Sequence, residues 1–246
     1  MTYSGPLFYD DPKIFSTYMS RRSSETSANE TLEKPVLISL LGDLKNTSVL
    51  DLGCGEATLA PYLFEQGCAS YHGIDGSENM VKLAKKHLDA YENVLIERDY
   101  IEMFPYPEAE YDWVISRLAF HYIEDINSIF KCIAQSLKPG GRFVFSAEHP
   151  VITSNHTGGG GAAPRQDWTV DRYFQTGQRK LSWLGGEVFK YHRTIEDYFQ
   201  ALLNAGFKVD QLKESKPDPK LFKDKKLLER RSRVPLFIFF AAQKDA

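Results

Sequence analysis

Val49-Leu50-Asp51-Leu52-Gly53-Cys54-Gly55-Glu56-Ala57-Thr58 is a short apolar run with an acid inside it, and it ends in two glycines one residue apart. An amphipathic segment, Leu59 to Gln66, follows. This order predicts a buried strand, a tight turn and the start of a helix, because glycines let the backbone turn sharply and approach a ligand closely. The free N–H groups at the start of such a helix would point at that ligand.

The ligand that this turn favours is a cation rather than a diphosphate. A dinucleotide-binding fingerprint has the same outline, but here Asp51 lies inside the strand and Ala57 stands where another glycine often falls. A carboxylate at Asp51 would repel a diphosphate and attract a positive charge. S-adenosylmethionine has a sulfonium and an amino group and no phosphate, so we expect it to bind in preference to NAD. An ordinary strand-to-helix turn is the alternative.

Composition indicates an ordinary globular protein. The chain has 246 residues, 42% of them hydrophobic and 26% charged, and its net charge of −3 argues against a broad nucleic-acid footprint. The cysteines Cys54, Cys68 and Cys132 lack metal-ligand spacing, so we expect reduced thiols and no metal site. There is no signal-peptide pattern and no apolar run of about 18 residues. We therefore expect a single domain over residues 1–246, located in the cytoplasm and without a membrane segment.

Strands and helices are predicted to alternate through most of the chain. After the first strand, we predict strands at Ser70–Asp75, Val94–Arg98, Tyr111–Ser116, Phe143–Phe145, Lys208–Leu212 and Leu236–Ala242. Helices begin at the capping residues Ser77, Asp125 and Thr194, and the second extends to Leu137 before Lys138-Pro139-Gly140-Gly141 ends it. Such alternation implies right-handed crossovers and a parallel sheet covered on both faces.

Three segments depart from this alternation. Met1 to Glu30 mixes aromatic and polar residues, and we predict that it docks on the core. Pro150 to Lys190 contains Gly158 to Gly161 in a row and several aromatic residues, and we interpret it as an insertion over the mouth of the sheet, with the glycine run as a mobile loop. Lys213 to Arg233 is a basic linker, interpreted as a solvated loop, with contact to an anionic ligand as the alternative.

The order of motifs resembles a class I S-adenosylmethionine-dependent methyltransferase. The matching pieces are Val49 to Gly55, Gly73-Ile74-Asp75-Gly76-Ser77, Glu97-Arg98-Asp99, Tyr111-Asp112-Trp113-Val114, and Leu137 to Phe143. The resemblance implies a three-layer, Rossmann-like α/β fold with a seven-stranded, mostly parallel sheet whose last strand is antiparallel. Residues 150–190 would be a cap insertion and residues 1–33 an N-terminal lid. S-adenosylmethionine would be the cofactor and S-adenosylhomocysteine its product.

The resemblance also implies which residues bind the cofactor. Asp75 and the neighbouring Gly76 would meet the ribose, whose hydroxyls a carboxylate can accept. Asp99 would accept from the adenine amino group and the Tyr100 backbone would meet the ring edge. The remaining expected contacts are Asp51, Gly53 and Gly55 at the methionine portion, Met80 on the adenine or ribose, Ser116 and Arg117 around the methyl group, and Tyr18 with Arg22 in the lid. Arg21 is the alternative to Arg22.

The acceptor pocket is expected at the carboxyl ends of the fourth and fifth strands, where His121 and His149 follow. Histidine can act as a general base near neutral pH, and we favour His149 slightly over His121 as the catalytic residue. Trp168, Tyr173 and His192 are expected substrate contacts. The sequence predicts O- or N-methylation of a small molecule by a monomer or homodimer. An RNA-directed methyltransferase and a non-catalytic regulatory protein that binds S-adenosylmethionine are the alternatives.

Overall fold

The computed structural model describes residues 2–22, 24, 26–154 and 167–245. The predicted loop Gly158 to Gly161 lies outside the described residues. The strands are β1 (Thr2–Ser4), β2 (Ser48–Leu52), β3 (Ser70–Asp75), β4 (Val94–Arg98), β5 (Tyr111–Arg117), β6 (Leu137–Glu148), β7 (Gly177–Trp183), β8 (Gly186–His192), β9 (Phe207–Glu214) and β10 (Phe237–Lys244). The α-helices are α1 (Pro12–Arg22), α2 (Lys34–Ile38), α3 (Ala60–Glu65), α4 (Glu78–His87), α5 (Ile126–Ser136), α6 (Pro150–Thr153), α7 (Ile195–Asn204) and α8 (Lys225–Arg231).

Seven strands form the central sheet in the order β4-β3-β2-β5-β6-β10-β9. The pairs from β4 to β6 are parallel, and β10 is antiparallel to both β6 and β9. This is the predicted Rossmann-like sheet with an antiparallel last strand. The order reverses beside β2, so the carboxyl ends of β2, β3 and β5 border a crevice at the position where open parallel sheets bind ligands.

The predicted helix starts are confirmed at three capping residues. The Ser77 side chain accepts from the Met80 N–H at 3.2 Å, and the Asp125 carboxylate accepts from the Ser128 N–H at 3.1 Å. Thr194 and Asp197 form a full capping box, in which each side chain accepts from the other residue's backbone N–H. These caps satisfy backbone donors that the first turn of a helix leaves free.

The central sheet is buried on both faces. Aromatic rings fill one face: Phe120, Phe130, Phe143, Phe145, Tyr198 and Phe240. The other face packs aliphatic residues of α2, α3 and α4 against Tyr71, Trp113 and Phe239. Burial on both sides explains why the central strands are continuous apolar runs rather than alternating ones.

Several boundaries differ from the prediction, and the largest difference among the strands is at β6, predicted at Phe143–Phe145 and observed at Leu137–Glu148. Leu137 continues the apolar period of α5, but the helix ends at Ser136 and Leu137 begins β6 opposite Tyr111. The pairing of β5 with β6 is irregular between Tyr111 and Trp113, where Pro139 and the left-handed Gly140 interrupt the ladder. The basic segment predicted as a loop contains α8, whose N-cap Asp224 accepts from the Lys226 N–H at 2.8 Å.

A second, three-stranded sheet has the order β1-β8-β7. The hairpin β7–β8 belongs to the predicted insertion, and it continues past Lys190 to His192. β1 pairs parallel to β8, with Thr2 opposite Glu187 and Ser4 opposite Phe189. The N-terminal segment therefore completes the sheet of the insertion, a pairing that the sequence did not predict.

Candidate active site

The turn after β2 is held in a left-handed backbone conformation at three residues. Gly53, Gly55 and Ala57 have φ values of 71°, 58° and 56°. The N–H groups of Gly53 and Cys54 donate to the Ile74 carbonyl at 2.9 and 3.0 Å, which ties the turn to β3. A Cβ built on Gly55 would meet no atom within 4 Å, so the backbone there borders open space. The turn thus leaves room for a ligand against Gly55.

Asp75, at the end of β3, closes the other side of this turn. One carboxylate oxygen accepts from the Gly55 N–H at 2.9 Å and the other from the Ser77 N–H at 2.8 Å. Burial raises the pKa of Asp75 from 3.8 to about 6, although the two backbone donors oppose that rise. Each oxygen keeps a lone pair, so the carboxylate can still accept from a ligand hydroxyl.

Asp51 lies behind the turn, outside the lining of the cavity. One oxygen accepts from the Tyr71 hydroxyl at 2.8 Å, and Oδ1 has no hydrogen-bond partner in the described part of the chain. Burial raises the pKa of Asp51 from 3.8 to about 6, while Tyr71 and Arg117 oppose the rise. A buried carboxylate with an unpartnered oxygen is stabilised by a nearby positive charge, so a cation in the adjoining cavity would be favoured.

A cavity of about 400 Å³ opens at the carboxyl ends of β2, β3 and β5. Ten of the residues predicted from sequence line it: Tyr18, Arg22, Gly53, Gly55, Asp75, Gly76, Met80, Tyr100, Arg117 and His121. Residues of the N-terminal segment and of the β7–β8 hairpin close it from above, including Pro6, Tyr9 and Trp183. The predicted lid and the predicted insertion therefore meet over one chamber.

The N-terminal segment is attached to the side of the chamber that Asp75 and Gly76 line. A Cβ on Gly76 would lie 2.6 Å from Pro6, so the loop after β3 and the segment touch closely. The Asp10 carboxylate accepts from the Ser77 hydroxyl at 2.7 Å and from the Asn79 N–H at 3.2 Å. Asp10 therefore supplies a second cap to α4 from a distant part of the chain, which the sequence did not reveal.

Arg22, rather than Arg21, faces the chamber. Its Nε donates to Glu56 at 2.8 Å and a terminal nitrogen donates to the Thr58 hydroxyl at 3.1 Å. Arg21 is exposed at the end of α1. The ion pair with Glu56 joins the lid helix to the glycine turn, so the lid lies beside the proposed methionine portion of the site.

Arg117 forms a buried ion pair with Glu33 at the floor of the chamber. Glu33 is 0% exposed and accepts from Arg117 Nε at 3.0 Å and from the Ser146 hydroxyl at 2.7 Å. Although burial lowers the pKa of Arg117, Glu33 raises it further, so the guanidinium stays charged. The floor of the chamber therefore carries the positive guanidinium of Arg117, and Glu33 neutralises its charge.

The half of the chamber beneath the hairpin is aromatic. Tyr9 and Tyr122 share a hydrogen bond between their hydroxyls at 3.1 Å, and Tyr9 meets Tyr18 edge to face with centroids 4.9 Å apart. Trp183 from β7 stacks on Phe8 at 5.3 Å. Burial raises the pKa of both Tyr9 and Tyr122, so their hydroxyls stay protonated at neutral pH.

A second buried ion pair supports this aromatic half. Lys190 Nζ lies 2.5 Å from a Glu148 oxygen and stands over the rings of Trp183 and Tyr122, at 4.9 and 5.4 Å from their centroids. Burial would raise the pKa of Glu148, but Lys190 and His121 outweigh it and lower that pKa. Both groups are therefore charged, and the ammonium gains from both aromatic faces.

His121 lines the chamber as a neutral ring. Its Nδ1 accepts the Glu148 N–H at 3.3 Å, so the neutral imidazole carries its proton on Nε2. Burial, aided by Lys190 and Arg193 and opposed by Glu148, lowers the pKa of His121 to about 3. A proton on Nδ1 would also point at the Glu148 N–H and break the hydrogen bond that this N–H donates. His121 is therefore built to donate from Nε2 rather than to accept a proton.

Seven predicted residues do not line the chamber. Asp51 lies behind the turn, Asp99 accepts the N–H of Tyr100, and the Ser116 hydroxyl donates to the Leu52 carbonyl. His149 caps α6 through Nδ1 and pairs through Nε2 with Glu214 at 2.9 Å, so its imidazole is occupied outside the chamber. The other three anchor the insertion and are Trp168, Tyr173 and His192.

These last contacts lie within the insertion and not in the lining of the chamber, so a substrate role for the three residues stays a prediction. Trp168 donates to the Val151 carbonyl at 3.0 Å, and His192 lies between the Thr153 hydroxyl at 2.7 Å and the Tyr173 carbonyl at 2.8 Å. They fix α6 and the segment before β7 to the hairpin. Buried polar groups need such partners.

Several residues of the chamber were not predicted from the sequence, because their hydrogen-bond or ion-pair partners are far away along the chain. Tyr9, Tyr122 and Glu148 line it, and Lys190 and Glu33 hold the charges of its walls. Tyr122 follows His121 and Glu148 precedes His149, so the prediction of the two histidines pointed to the sequence positions next to these residues. Glu33 and Lys190 carried no local signal, because the partner of each buried charge comes from another element of the chain.

Comparisons with known proteins agree with this fold. The family profile described as a methyltransferase domain matches residues 50–145. A Listeria monocytogenes structure described as an S-adenosylmethionine-dependent methyltransferase is 35% identical, with a TM-score of 0.79, covering 87% of this chain and 97% of that one. One from Mesorhizobium loti is 32% identical, with a TM-score of 0.78, covering 89% and 98%. An uncharacterised Haemophilus influenzae protein is 31% identical over 215 residues, 84% of this chain and 85% of its own length.

The chain belongs to the class I S-adenosylmethionine-dependent methyltransferases, and S-adenosylmethionine is its cofactor. The residues fit that cofactor. Gly55 borders open space, Asp75 retains acceptor capacity for hydroxyls, and Asp51 places an unpartnered negative oxygen behind the turn. Among the described residues, no helix combines the length and the apolar character that crossing a membrane requires.

Proposed function

We propose that this methyltransferase acts on a small-molecule acceptor, at oxygen or nitrogen, inside the chamber between the lid and the insertion. The observation that carries this proposal is the chamber itself. Its volume of about 400 Å³ lies in the range of small-molecule sites, and the N-terminal segment and the β7–β8 hairpin roof it. A cofactor end with glycines and Asp75 continues directly into an aromatic end with Tyr9, Tyr122 and Trp183.

The cofactor, when bound, supplies a methyl group already activated on its sulfonium. The protein residues then have to orient and enclose the reactants. We assign Asp75 and Gly76 to the ribose, Met80 and Tyr100 to the adenine, and the turn at Gly53 to the methionine portion. Asp99 steadies the Tyr100 backbone by accepting its N–H at 2.8 Å, a contact that leaves its second oxygen for the adenine amino group. Tyr18 and Arg22 would close over the amino-acid end.

In this proposal His121 orients the acceptor by donating a hydrogen bond. Its Nε2–H is available to an oxygen of the acceptor, which keeps a further lone pair, while Nδ1 is held by the Glu148 N–H. The acceptor would therefore carry an available lone pair on arrival, as a carboxylate, an ionised hydroxyl or a neutral amine does. We no longer favour His149, because its ring is committed to Glu214 and Val151 outside the chamber.

Relatives with assigned acceptors differ in the atom that they methylate. A malonyl-[acyl-carrier protein] O-methyltransferase from Pseudescherichia vulneris is 30% identical over 111 residues, covering 45% of this chain and 43% of its own length. A phosphoethanolamine N-methyltransferase from Plasmodium falciparum is 25% identical over 206 residues, covering 77% and 72%. These names support a small or carrier-bound acceptor and leave both oxygen and nitrogen open.

The function is tested by measuring S-adenosylhomocysteine release against a panel of small carboxylic acids, phenols and amines, with structured and single-stranded RNA as a second arm. Turnover on a small molecule that exceeds the protein-free rate supports the proposal. Turnover confined to RNA would assign an RNA-directed enzyme. Cofactor binding without turnover on any arm would point to a non-catalytic regulatory protein.

The role of His121 is tested by single-turnover methyl transfer in His121→Gln and His121→Phe, with His149→Asn as the control. The glutamine amide can donate from near the position of Nε2, whereas phenylalanine cannot. We expect His121→Gln to keep most of the transfer rate and His121→Phe to lose about tenfold or more. The pH dependence of the transfer rate near pH 6.5 should be the same in the parent and in the glutamine variant. Equal loss of about 100-fold in both variants would instead indicate general-base catalysis.

A further inference from the structure

Glu148 is a charged residue of the chamber to which the proposed function gives no role. It ends β6 and lines the chamber, and its side chain is 21% exposed. One carboxylate oxygen, Oε1, accepts from Lys190 Nζ at 2.5 Å, and Lys190 lies behind the lining. Keeping an ionised carboxylate this far from water has a desolvation cost that an apolar residue at the same place would avoid. Glu148 is therefore a candidate for a function in the chamber.

The second oxygen of Glu148 is open to a ligand. Oε2 makes no hydrogen bond within the described part of the chain, and neither does Nε2 of His121. The unpartnered polar atoms that the described residues seal from solvent belong instead to Asp51, Arg179 and Arg231. Oε2 and Nε2 are therefore accessible, and the cavity that both residues line is the chamber.

These two open atoms belong to residues in direct contact. The Glu148 N–H donates to His121 Nδ1 at 3.3 Å. Burial is the largest influence on the pKa of His121, Tyr122 and Tyr9, and the charge of Glu148 also acts on each of them. All three line the chamber. The carboxylate therefore lies in the aromatic half of the chamber, next to the Nε2 donor.

A donor beside an acceptor selects the chemical group that fits between them. Nε2 of His121 donates, and the ionised Oε2 of Glu148 can only accept. A hydroxyl satisfies both, because it has one proton for Glu148 and two lone pairs, one for His121 and one for the methyl group. An amine nitrogen has a single lone pair, and accepting from His121 would use it. A carboxylate has no proton to donate and would be repelled by Glu148.

We propose that Glu148 is the general base of an O-methylation and that the acceptor is the hydroxyl of an aromatic compound, whose ring packs among Tyr9, Tyr122 and Trp183. A lone pair of the hydroxyl oxygen forms the O–CH₃ bond while the C–S bond breaks, and the electron pair of that bond stays on sulfur, which becomes a neutral thioether. The hydroxyl proton passes to Oε2 of Glu148. The proposal rests on the proposed function, since it names the acceptor of that methyl transfer, and with this base the hydroxyl can arrive un-ionised.

Lys190 sets the strength of this base. Burial would raise the pKa of Glu148, but Lys190 and His121 outweigh it and lower that pKa, so the carboxylate is ionised at neutral pH. Such a carboxylate takes a proton readily only once the hydroxyl has become strongly acidic, which happens as its oxygen gains the methyl group. Proton transfer therefore accompanies methyl transfer. The titratable groups around Glu148 are Lys190 from β8, His121 and Tyr122 from the turn after β5, Tyr9 from the N-terminal segment and Tyr198 from α7.

The first test is single-turnover methyl transfer to the most active phenol of the acceptor panel, in variants that keep the buried charge balanced. Glu148→Gln alone would leave Lys190 unpaired, so it is combined with Lys190→Met. The matched control is Glu102→Gln, because Glu102 is another carboxylate of the lining. We expect the double variant to lose about 100-fold or more and the control to keep the parent rate. S-adenosylhomocysteine affinity, measured in each variant, confirms that it is folded.

Lys190→Met alone keeps the base and removes its charge partner. The base acts only when ionised, and loss of the ammonium raises the pKa of Glu148, so the fall in rate at acid pH should move to higher pH in this variant. A purely structural ion pair would not move it. The parent rate in the double variant, or an unchanged pH profile in Lys190→Met, overturns the proposal.

The second test measures binding without turnover. Phenol and its methyl ether, anisole, are titrated by calorimetry into the protein with S-adenosylhomocysteine bound. Phenol can donate to Glu148 and anisole cannot, so the parent should bind phenol about tenfold or more tightly, and the double variant should bind the two alike. Equal binding of both by the parent, or no binding of phenol in the millimolar range, overturns the proposal. Methyl transfer to amines or carboxylic acids alone overturns it and leaves the proposed function intact, whereas turnover confined to RNA overturns both.

Discussion

Asp51 should make the affinity for S-adenosylmethionine depend on pH in a way that the affinity for S-adenosylhomocysteine does not. Its Oδ1 has no partner among the described residues, and burial raises its pKa from 3.8 to about 6. S-adenosylmethionine carries a sulfonium charge that its product lacks. A positive charge beside the glycine turn favours the ionised carboxylate, so binding of the sulfonium should lower this pKa and release a proton below pH 6.

The size of the effect follows from the pKa. Return of Asp51 from about 6 to its ordinary 3.8 corresponds to about 3 kcal/mol, or roughly 100-fold in affinity. Tyr71 and Arg117 already stabilise the carboxylate, while Asp75 and Glu33 oppose its ionisation, so that figure is an upper limit. We expect the ratio of the two dissociation constants, product over cofactor, to rise by up to about 25-fold between pH 4.5 and pH 7.5, because part of the pKa change already acts at pH 4.5.

The assay is calorimetry with both ligands across this pH range, in parent and in Asp51→Asn. Asp75 also titrates with a pKa of about 6, but both ligands carry the same ribose, so its contribution cancels in the ratio. The ratio should become independent of pH in Asp51→Asn. Parallel affinity changes for both ligands in the parent, or a pH-dependent ratio that survives in Asp51→Asn, would refute the role given to Asp51.

The same carboxylate affects stability with a defined sign. Between about pH 4 and pH 6 the native protein binds more protons at Asp51 than the unfolded chain does, so the free energy of unfolding falls as pH rises through this window. The free energy of unfolding of Asp51→Asn, minus that of the parent, should therefore increase by up to about 3 kcal/mol from pH 4 to pH 7. Urea denaturation at both pH values measures it, and a constant difference would contradict the raised pKa.

Three further predictions concern the lid, the floor of the chamber and the glycine turn. Glu33→Gln should lower the free energy of unfolding, measured by urea denaturation, by about 3–5 kcal/mol, because it leaves Arg117 buried without its charge partner. The control Glu30→Gln, at the surface pair with Lys34, should lower it by less than about 1 kcal/mol. Similar values for the two variants would contradict this prediction. Ala57→Gly should raise the free energy of unfolding by up to about 1 kcal/mol, since it relieves a left-handed alanine, and a loss would show that the Ala57 methyl packing matters more. Residues 2–22 should gain hydrogen-exchange protection when the cofactor binds, and equal protection in both states would make the segment a static layer.

The sheet could be predicted from sequence because its signals are local. The runs Ser70–Asp75 and Val94–Arg98 were predicted with the bounds that the structure has, since each is an apolar run between turn residues. The capping residue Asp125 was recognised in the same way. The end of α5 was wrong because Leu137 suits a helix face and a strand equally, and only its pairing with Tyr111 decides between them.

The chamber could be predicted mainly on its cofactor side, and His121 is the one residue predicted for the acceptor pocket that lines it. Gly53, Gly55 and Asp75 belong to motifs of adjacent strands, so their meeting at one sheet edge follows from parallel topology. The acceptor side depends on pairings between remote segments. Trp183 stacks on Phe8 because β1 adds to β8, and a three-residue strand at the start of the chain has too few residues to show a period.

The N-terminal segment touches both halves of the chamber, and this explains how one short segment can matter for both ligands. Asp10 and Pro6 lie on the loop and helix that follow Asp75, whereas Tyr9 bonds to Tyr122 beneath the hairpin. Because β1 is also a strand of the hairpin sheet, the segment cannot leave the side lined by Asp75 and Gly76 without disturbing the aromatic half of the chamber. Exclusion of water from the sulfonium, which methyl transfer requires, therefore depends on contacts made with the insertion as well as with the cofactor.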